Sequence, residues 1–210
     1  MSPILTPEML DQVIADSAKL EDCNGEENRQ KYETRYKEPL EVVDENGMLL
    51  GAAPRGLVHR IGLRHSVVYC VVRDSMGDKW LLQTRGSGKL DISVGGHVRA
   101  GEKSYTEALA REFTEELGLS PDINRFQAVA VYDRDAELRP DRPLVRNRER
   151  RHVYSYTLAV EEQEILAKAF EQRDDRDAVL DFAWFNPAEV KDAVKAGRCA
   201  DGLASSLPYL

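Results

Sequence analysis

Cysteine is scarce in this chain: Cys23, Cys70 and Cys199 are three in 210 residues, far apart and without Cys-x-x-Cys spacing. That pattern excludes a disulfide framework and a structural zinc site as expectations, and makes a reducing, cytoplasmic setting the default. Long apolar runs are missing as well. No stretch reaches the roughly 18 apolar residues of a transmembrane helix, so no membrane partner is expected. Met1-Ser2-Pro3-Ile4-Leu5-Thr6 has neither the basic nor the apolar region of a secretory signal. Positive charge is in deficit, 29 Lys and Arg against 37 Asp and Glu, a formal net charge of −8. A nonspecific nucleic-acid binder would need an extended basic surface, so no nucleic-acid partner is expected. Internal repeats and low-complexity tracts are absent too.

What is present is ordinary for a soluble domain: 42% hydrophobic and 31% charged residues, enough for one sizeable core or one domain with an appendage. Thr6-Pro7-Glu8 ahead of Met9, Leu10, Val13 and Ile14 predicts a capped amphipathic helix. The polar stretch from Glu21 to Lys37 then reads as a linker or a second exposed helix. Residues 1–37 are accordingly expected to form an N-terminal helical arm that packs on the domain or joins a partner, with a homodimer as the expected assembly. The domain itself is placed at 38–210.

Asn46-Gly47, between Leu40-Glu41-Val42-Val43 and Met48-Leu49-Leu50, predicts a hairpin. Strands are expected over 66–72, 79–85, 126–132, 152–160 and 180–185. Gly86-Ser87-Gly88 breaks the second of these, and Leu90-Asp91-Ile92-Ser93-Val94 leads into a glycine loop at Gly95-Gly96. Ser104-Tyr105-Thr106-Glu107 has the form of a capping box and starts a helix that Gly118 stops. Asn186-Pro187-Ala188-Glu189 caps a final helix. The order predicts a mixed β-sheet with helices on its faces, in an α+β or three-layer arrangement.

The helix after the glycine loop carries the chemistry. At 100° per residue, Glu112, Glu115 and Glu116 fall within an arc of about 100°. Like charges at these spacings repel by roughly 0.2–0.5 kcal/mol per pair. Leu109, Ala110, Phe113 and Leu117 form an apolar stripe beside them. A solvated acidic face is the usual reading of a charge run. A cation site is the other, since hard divalent ions take oxygen ligands and are held by carboxylates together with substrate phosphates.

Gly96, Glu102, Arg111-Glu112-Phe113, Glu115-Glu116 and Gly118-Leu119 resemble the signature of the Nudix hydrolase family: a glycine, five residues, a glutamate, seven residues, then Arg-Glu-apolar-x-Glu-Glu-x-Gly-apolar. One departure is that residues 103–110 make eight where the signature has seven, with Lys103 as the extra residue before the helix. The likeness extends from about Glu38 to Arg198. It implies a Nudix-like α/β/α sandwich and Mg²⁺, or Mn²⁺, held by Glu112, Glu115 and Glu116 with the Gly96 carbonyl. Arg111 would orient the cluster, and Glu102 would lie behind it. The implied reaction is attack of water on a small-molecule diphosphate, in the family commonly a nucleoside diphosphate linked to another group. The metal would lower the pKa of bound water, and a carboxylate would take its proton: Glu112 first, then Glu115, then an acid of the 161–177 segment.

Two further readings are carried forward. His59, Arg60, His65 and Asp91-Ile92-Ser93-Val94-Gly95-Gly96-His97-Val98 also resemble the isopentenyl-diphosphate isomerase-like branch of the family. True isomerases of that branch have a cysteine where Ser93, Val94 and Gly95 stand here. A ligand-sensing Nudix module without catalysis is the third reading. His97 is read as a phosphate donor or a residue that orients backbone. Tyr69, Tyr132, Tyr154 and Trp184 are core or base-stacking residues, and Arg64, His65 and Arg85 are surface charges or substrate contacts. The arginines at 134, 139, 142, 146, 148, 150 and 151 form a solvated loop or an anion-facing one.

Overall fold

The computed structural model describes residues 37–136, 146–172 and 179–210. The helix expected after Thr6, the arm up to residue 36, and Arg139 and Arg142 lie outside them. The chain divides into two compact units.

The first unit contains residues 37–66, Val98–Gly101 and the described part of Asp133–Arg150. Strands β1 (Pro39–Val43) and β2 (Leu49–Pro54) form the expected hairpin, antiparallel from Pro39↔Pro54 to Val43↔Leu49 with a bulge at Val42/Val43. Its turn is held by Asp44, whose Oδ1 accepts the N–H groups of Asn46 and Met48, both at 2.8 Å. Gly47 supplies the positive φ of +83° that this geometry needs. The two apolar runs separate: Leu40, Val42 and Val43 are buried, whereas Met48, Leu49 and Leu50 face outward. A short helix, α1 (Arg55–Ile61), follows, with Gly62 in the left-handed region at its C-terminus. Leu40, Val42 and Val58 make this unit's small core. Strand β3 (Arg64–Arg73) begins here, pairing His65 with Val42.

Burial pushes the imidazoles of His59 and His65 down to about 4, helped at His59 by the adjacent His65 and at both by the positive charge of Arg55. They fold neutral but would be protonated below about pH 6.5 in the unfolded chain, so their contribution to stability is present above that pH and is lost as pH falls toward 4. The urea midpoint is therefore expected to fall progressively between pH 6.5 and 4 and to be level just above it. A midpoint that stays constant across that window would refute the burial of neutral histidines.

The second unit contains Val67–His97, Glu102–Tyr132 and Arg151–Leu210. Here β3 pairs antiparallel with β4 (Trp80–Arg85) and with β6 (Val94–His97), and β4 also pairs with β5 (Leu90–Asp91) and β9 (Val179–Phe185). Strand β8 (Asn147–Thr157) lies beside β3 and pairs with β7 (Gln127–Ala136). The N–H of Leu158 reaches the carbonyl of Arg73 at 2.9 Å, so β8 and β3 end together. That makes the sheet mixed.

Helix α2 (Tyr105–Leu117) packs Phe113 edge-on against Tyr156 of β8, ring centroids 5.3 Å apart. Val71, Trp80, Leu82 and Ile92 instead meet residues of α4 (Pro187–Lys195) and α5 (Asp201–Ser206): Val190, Ala193 and Leu203. Helices thus cover both faces of the sheet, the α+β sandwich expected from the element order.

Two local readings are corrected, and one segment without an expected structure is a helix. Gly95-Gly96 is strand, not loop, paired with Tyr69 and Val68. The charged segment after residue 160 begins as helix α3 (Val160–Gln172). Glu162 starts it by accepting the Ala159 N–H at 2.6 Å. The arginine-rich stretch is largely strand: Arg134 lies in β7, and Arg148, Arg150 and Arg151 lie in β8.

Candidate active site

The site is built where α2 crosses β6. Ser104 caps the helix by accepting the Glu107 N–H at 3.1 Å. In a standard capping box the Glu107 carboxylate would return to the N–H of Ser104 itself. Here it accepts the N–H of Lys103 at 3.0 Å, so the extra residue is absorbed in the cap. The register of Arg111, Glu112, Glu115 and Glu116 is left intact. Gly118, at φ +68°, ends the helix as expected.

Glu112 and Glu116 are nearly as buried as the apolar stripe, at 8% and 9% exposure. Two missing side chains let β6 pack closely here. A methyl group on Gly96 would land on the Glu112 carboxylate, and one on Gly95 would land on the ring of Tyr69. The Gly95 N–H donates to Glu116 Oε2 at 3.1 Å. Glycine in this strand marks a close approach rather than a turn.

Arg111 ties the carboxylates together. Its Nε donates to Glu102 Oε1 at 2.8 Å, Nη1 to Glu112 Oε1 at 2.6 Å and Glu115 Oε2 at 3.2 Å, and Nη2 to the His97 carbonyl at 2.9 Å. Glu102 is therefore in place despite the longer spacing, and His97 serves the cluster through its backbone. Burial would lower the Arg111 pKa, but the Glu102 and Glu112 carboxylates raise it above the ordinary arginine range. Glu102, Glu112, Glu115 and Glu116 gather around Arg111, and an all-oxygen donor set of this kind suits a hard divalent ion.

Replacing Arg111 by alanine would leave these carboxylates to repel one another. The expected loss is roughly 1–3 kcal/mol, between exposed and buried ion pairs, read as a urea midpoint. Millimolar Mg²⁺ is expected to restore part of it. A variant as stable as wild type without added metal would show that Arg111 does not hold the cluster.

The other candidates divide. Glu162 is committed elsewhere: it accepts from Tyr156 Oη at 2.6 Å and Arg125 Nη1 at 2.9 Å. Desolvation opposes its ionisation, but these bonds hold its pKa below the usual glutamate value, which suits a fixed carboxylate rather than a base. The arginines of β8 pair with acids: Arg148 with Asp135 at 3.2 Å, Arg150 with Asp133 at 3.2 Å, and Arg151 with Asp201 at 2.7 Å. Asp133 and Asp135 also hold Arg64, both at 3.3 Å. Tyr132 stacks on Tyr209, centroids 4.7 Å apart. Trp184 pairs with Leu81 across β9 and β4.

None of the three residues at the isomerase cysteine offers an acid–base group. Ser93 is fully buried. Its hydroxyl accepts the Val72 N–H at 2.8 Å and donates to the Leu81 carbonyl, joining β3 to β4. Val94 is a buried aliphatic, and Gly95 is covered by Tyr69.

The family model of the NUDIX domain matches residues 63–201, well over half of the chain, and the chain belongs to the Nudix family. A Nudix hydrolase of Streptomyces coelicolor, itself uncharacterized, is 44% identical over 89 residues, 40% of this chain and 48% of that protein. Another, from Nostoc sp., is 38% identical over 93 residues, 41% of this chain and 53% of that protein. The chain spans about half the length of these curated relatives. The crystal structure of DR0079 from Deinococcus radiodurans matches with a TM-score of 0.55 and 23% identity, covering 81% of this chain and 97% of that one. That likeness is one of fold. Among the described residues, no helix is long and apolar enough to cross a membrane.

Proposed function

We propose that this chain is a divalent-cation-dependent hydrolase that cleaves the diphosphate bond of a small molecule, a nucleoside diphosphate joined to another group. The observation that supports this reading most is the packing of the Arg111-tied Glu112 carboxylate onto the bare backbone of Gly96. A merely solvated acidic face has no need of that fit. A sensing module without catalysis has no evident use for it either. The isomerase alternative lacks its acid–base group.

In the proposed mechanism, Glu112, Glu115 and Glu116, with the Gly96 carbonyl, would hold Mg²⁺ or Mn²⁺. The ion, when bound, offsets phosphate charge and lowers the pKa of its water. Arg111 keeps Glu112 and Glu115 on one side of the helix, and Glu102 steadies Arg111 from behind. Glu115 has a side chain 39% exposed against 11% for Glu112, so Glu115 is the carboxylate best placed to take the proton of the attacking water. The catalytic domain is assigned to 38–210 and the arm to 1–37, with a homodimer through the arm. A screen of diphosphate compounds with Mg²⁺ and Mn²⁺, products identified by mass, tests the reading. Absence of cleavage across nucleotide sugars, dinucleotides, coenzyme A and nucleoside triphosphates would overturn it.

A further inference from the structure

Arg151 of β8 is 2% exposed, a charge sealed inside the second unit, and the proposed mechanism makes no use of it. A buried guanidinium is tolerated only where it is paired and hydrogen-bonded. Its partners come from α5. Nη2 donates to Asp201 Oδ2 at 2.7 Å, and Nη1 to the Ser205 hydroxyl and, at 3.4 Å, to the Asp201 carbonyl. Two aromatic rings complete its surroundings: its Cζ stands 5.2 Å from the ring centre of Tyr69 and 5.9 Å from that of Tyr132. The Tyr132 hydroxyl is held in turn by Ser205 and Ser206, at 3.2 and 2.9 Å. Tyr69 connects this assembly to the candidate active site. Its ring occupies the place that a side chain on Gly95 would need, and the Gly95 N–H donates to Glu116 Oε2 at 3.1 Å.

We propose that Tyr69 is the positioning residue for the third carboxylate, Glu116, and that Arg151 holds Tyr69 in place from α5. This role rests on the hydrolase reading for the use made of Glu116, not for its geometry. The Gly95 N–H does for Glu116 what Arg111 does for Glu112 and Glu115. A backbone donor aims well only if its strand stays put, and a strand glycine has no side chain to pack and much freedom to shift. The Tyr69 ring fills that space and keeps the Gly95 N–H directed at Glu116. Arg151 steadies the ring by cation–π attraction, which is stronger away from water, and its own place is set by Asp201 and Ser205. Partners that orient a ligand in this way govern metal affinity without touching the ion. Helix α5 thereby reaches the carboxylate cluster through one arginine and one ring.

The test needs no substrate. Mn²⁺ binding to the full chain is read from the free-ion signal in electron paramagnetic resonance, and amide hydrogen exchange at Gly95 is read by NMR without metal. Tyr69→Ala is expected to weaken Mn²⁺ binding by about 10-fold, the low end for a residue that orients a ligand. It should also lose the protection of the Gly95 amide while the Val72 amide, bonded to Ser93, keeps its own. Tyr69→Phe retains the ring and should restore both readouts. Arg151→Met combined with Asp201→Asn removes the guanidinium without stranding its carboxylate, and should move both readouts the same way by a smaller factor. Positioning is separated from general loosening by a double variant: Tyr69→Ala should add nothing to the Mn²⁺ loss that Glu116→Gln causes alone. Additive losses, or a protected Gly95 amide in a folded Tyr69→Ala, would overturn the assignment of Tyr69. Wild-type readouts in the Arg151 variant would overturn that of Arg151. Should Tyr69→Ala not fold, Gly95→Ala displaces the same ring from the strand side, and wild-type Mn²⁺ affinity there would overturn the proposal. If both readouts respond as expected but no diphosphate is cleaved, the hydrolase reading fails and this one stands.

Discussion

A Glu115→Gln protein is expected to fold as the wild type does and to release product on the order of 10²–10⁴ times more slowly, the usual contribution of a positioned proton acceptor. Its geometry makes it the informative choice among the three carboxylates. Glu112 and Glu116 are buried against β6, so their replacement would mix a folding defect with a catalytic one. The Glu115 side chain is 39% exposed and receives Arg111 at 3.2 Å, a longer contact than the 2.6 Å to Glu112. The amide keeps its shape and still accepts from Arg111, but it offers no negative charge to an ion and no base to a water. The two readouts are initial rates with Mg²⁺ and the urea midpoint. An unchanged rate would remove Glu115 from the mechanism, and with it the assignment of the attacking water's proton.

Gly96→Ala is expected to fall almost as far in activity, by about 10²-fold, the scale on which a displacement near 1 Å at a reacting group acts. The added methyl meets the Glu112 carboxylate, the far end of a flexible side chain, not backbone. The carboxylate can swing aside, so the stability cost should stay below about 1–3 kcal/mol, the usual range for overpacking. Swinging aside takes Glu112 off Arg111 Nη1 and out of the cluster. Activity lost with the midpoint nearly retained is the expected pair of results. A Gly96→Ala enzyme with wild-type turnover would mean that the carboxylate's seat against β6 is irrelevant to the chemistry.

Much of the fold was legible because local signals agreed with one another. Ser104, Gly118, Asn186 and Gly47 each mark an element end by a backbone or capping requirement that few residue types meet. The acid-bearing helix was legible for the same reason, and the register of its acids survived an extra residue. What sequence could not supply was the role of the glycines in β6. Periodicity has no entry for a residue whose use is to leave space, so Gly95-Gly96 read as a loop. The arginines of β8 read as a loop because their partners, Asp133, Asp135 and Asp201, are 13 to 50 residues away in sequence. Helix α3 was hidden by its charge. Helices α1 and α5, of seven and six residues, are too short to show an apolar period. The link from α5 through Arg151 to Tyr69 spans 50 residues between Asp201 and Arg151 alone, and no local pattern announces it.

The ring of Tyr69 over Gly95 bears on how this lineage can change its chemistry. A cysteine at position 95 would have to displace that ring, and a cysteine at position 93 would have to give up the hydroxyl that joins β3 to β4. Either single step loses packing or hydrogen bonds before a sulfur could act. On the proposed hydrolase reading, a drift toward isomerisation would therefore lose packing or hydrogen bonds at its first substitution. An aromatic side chain on the neighbouring strand guards this end of β6 against a thiol.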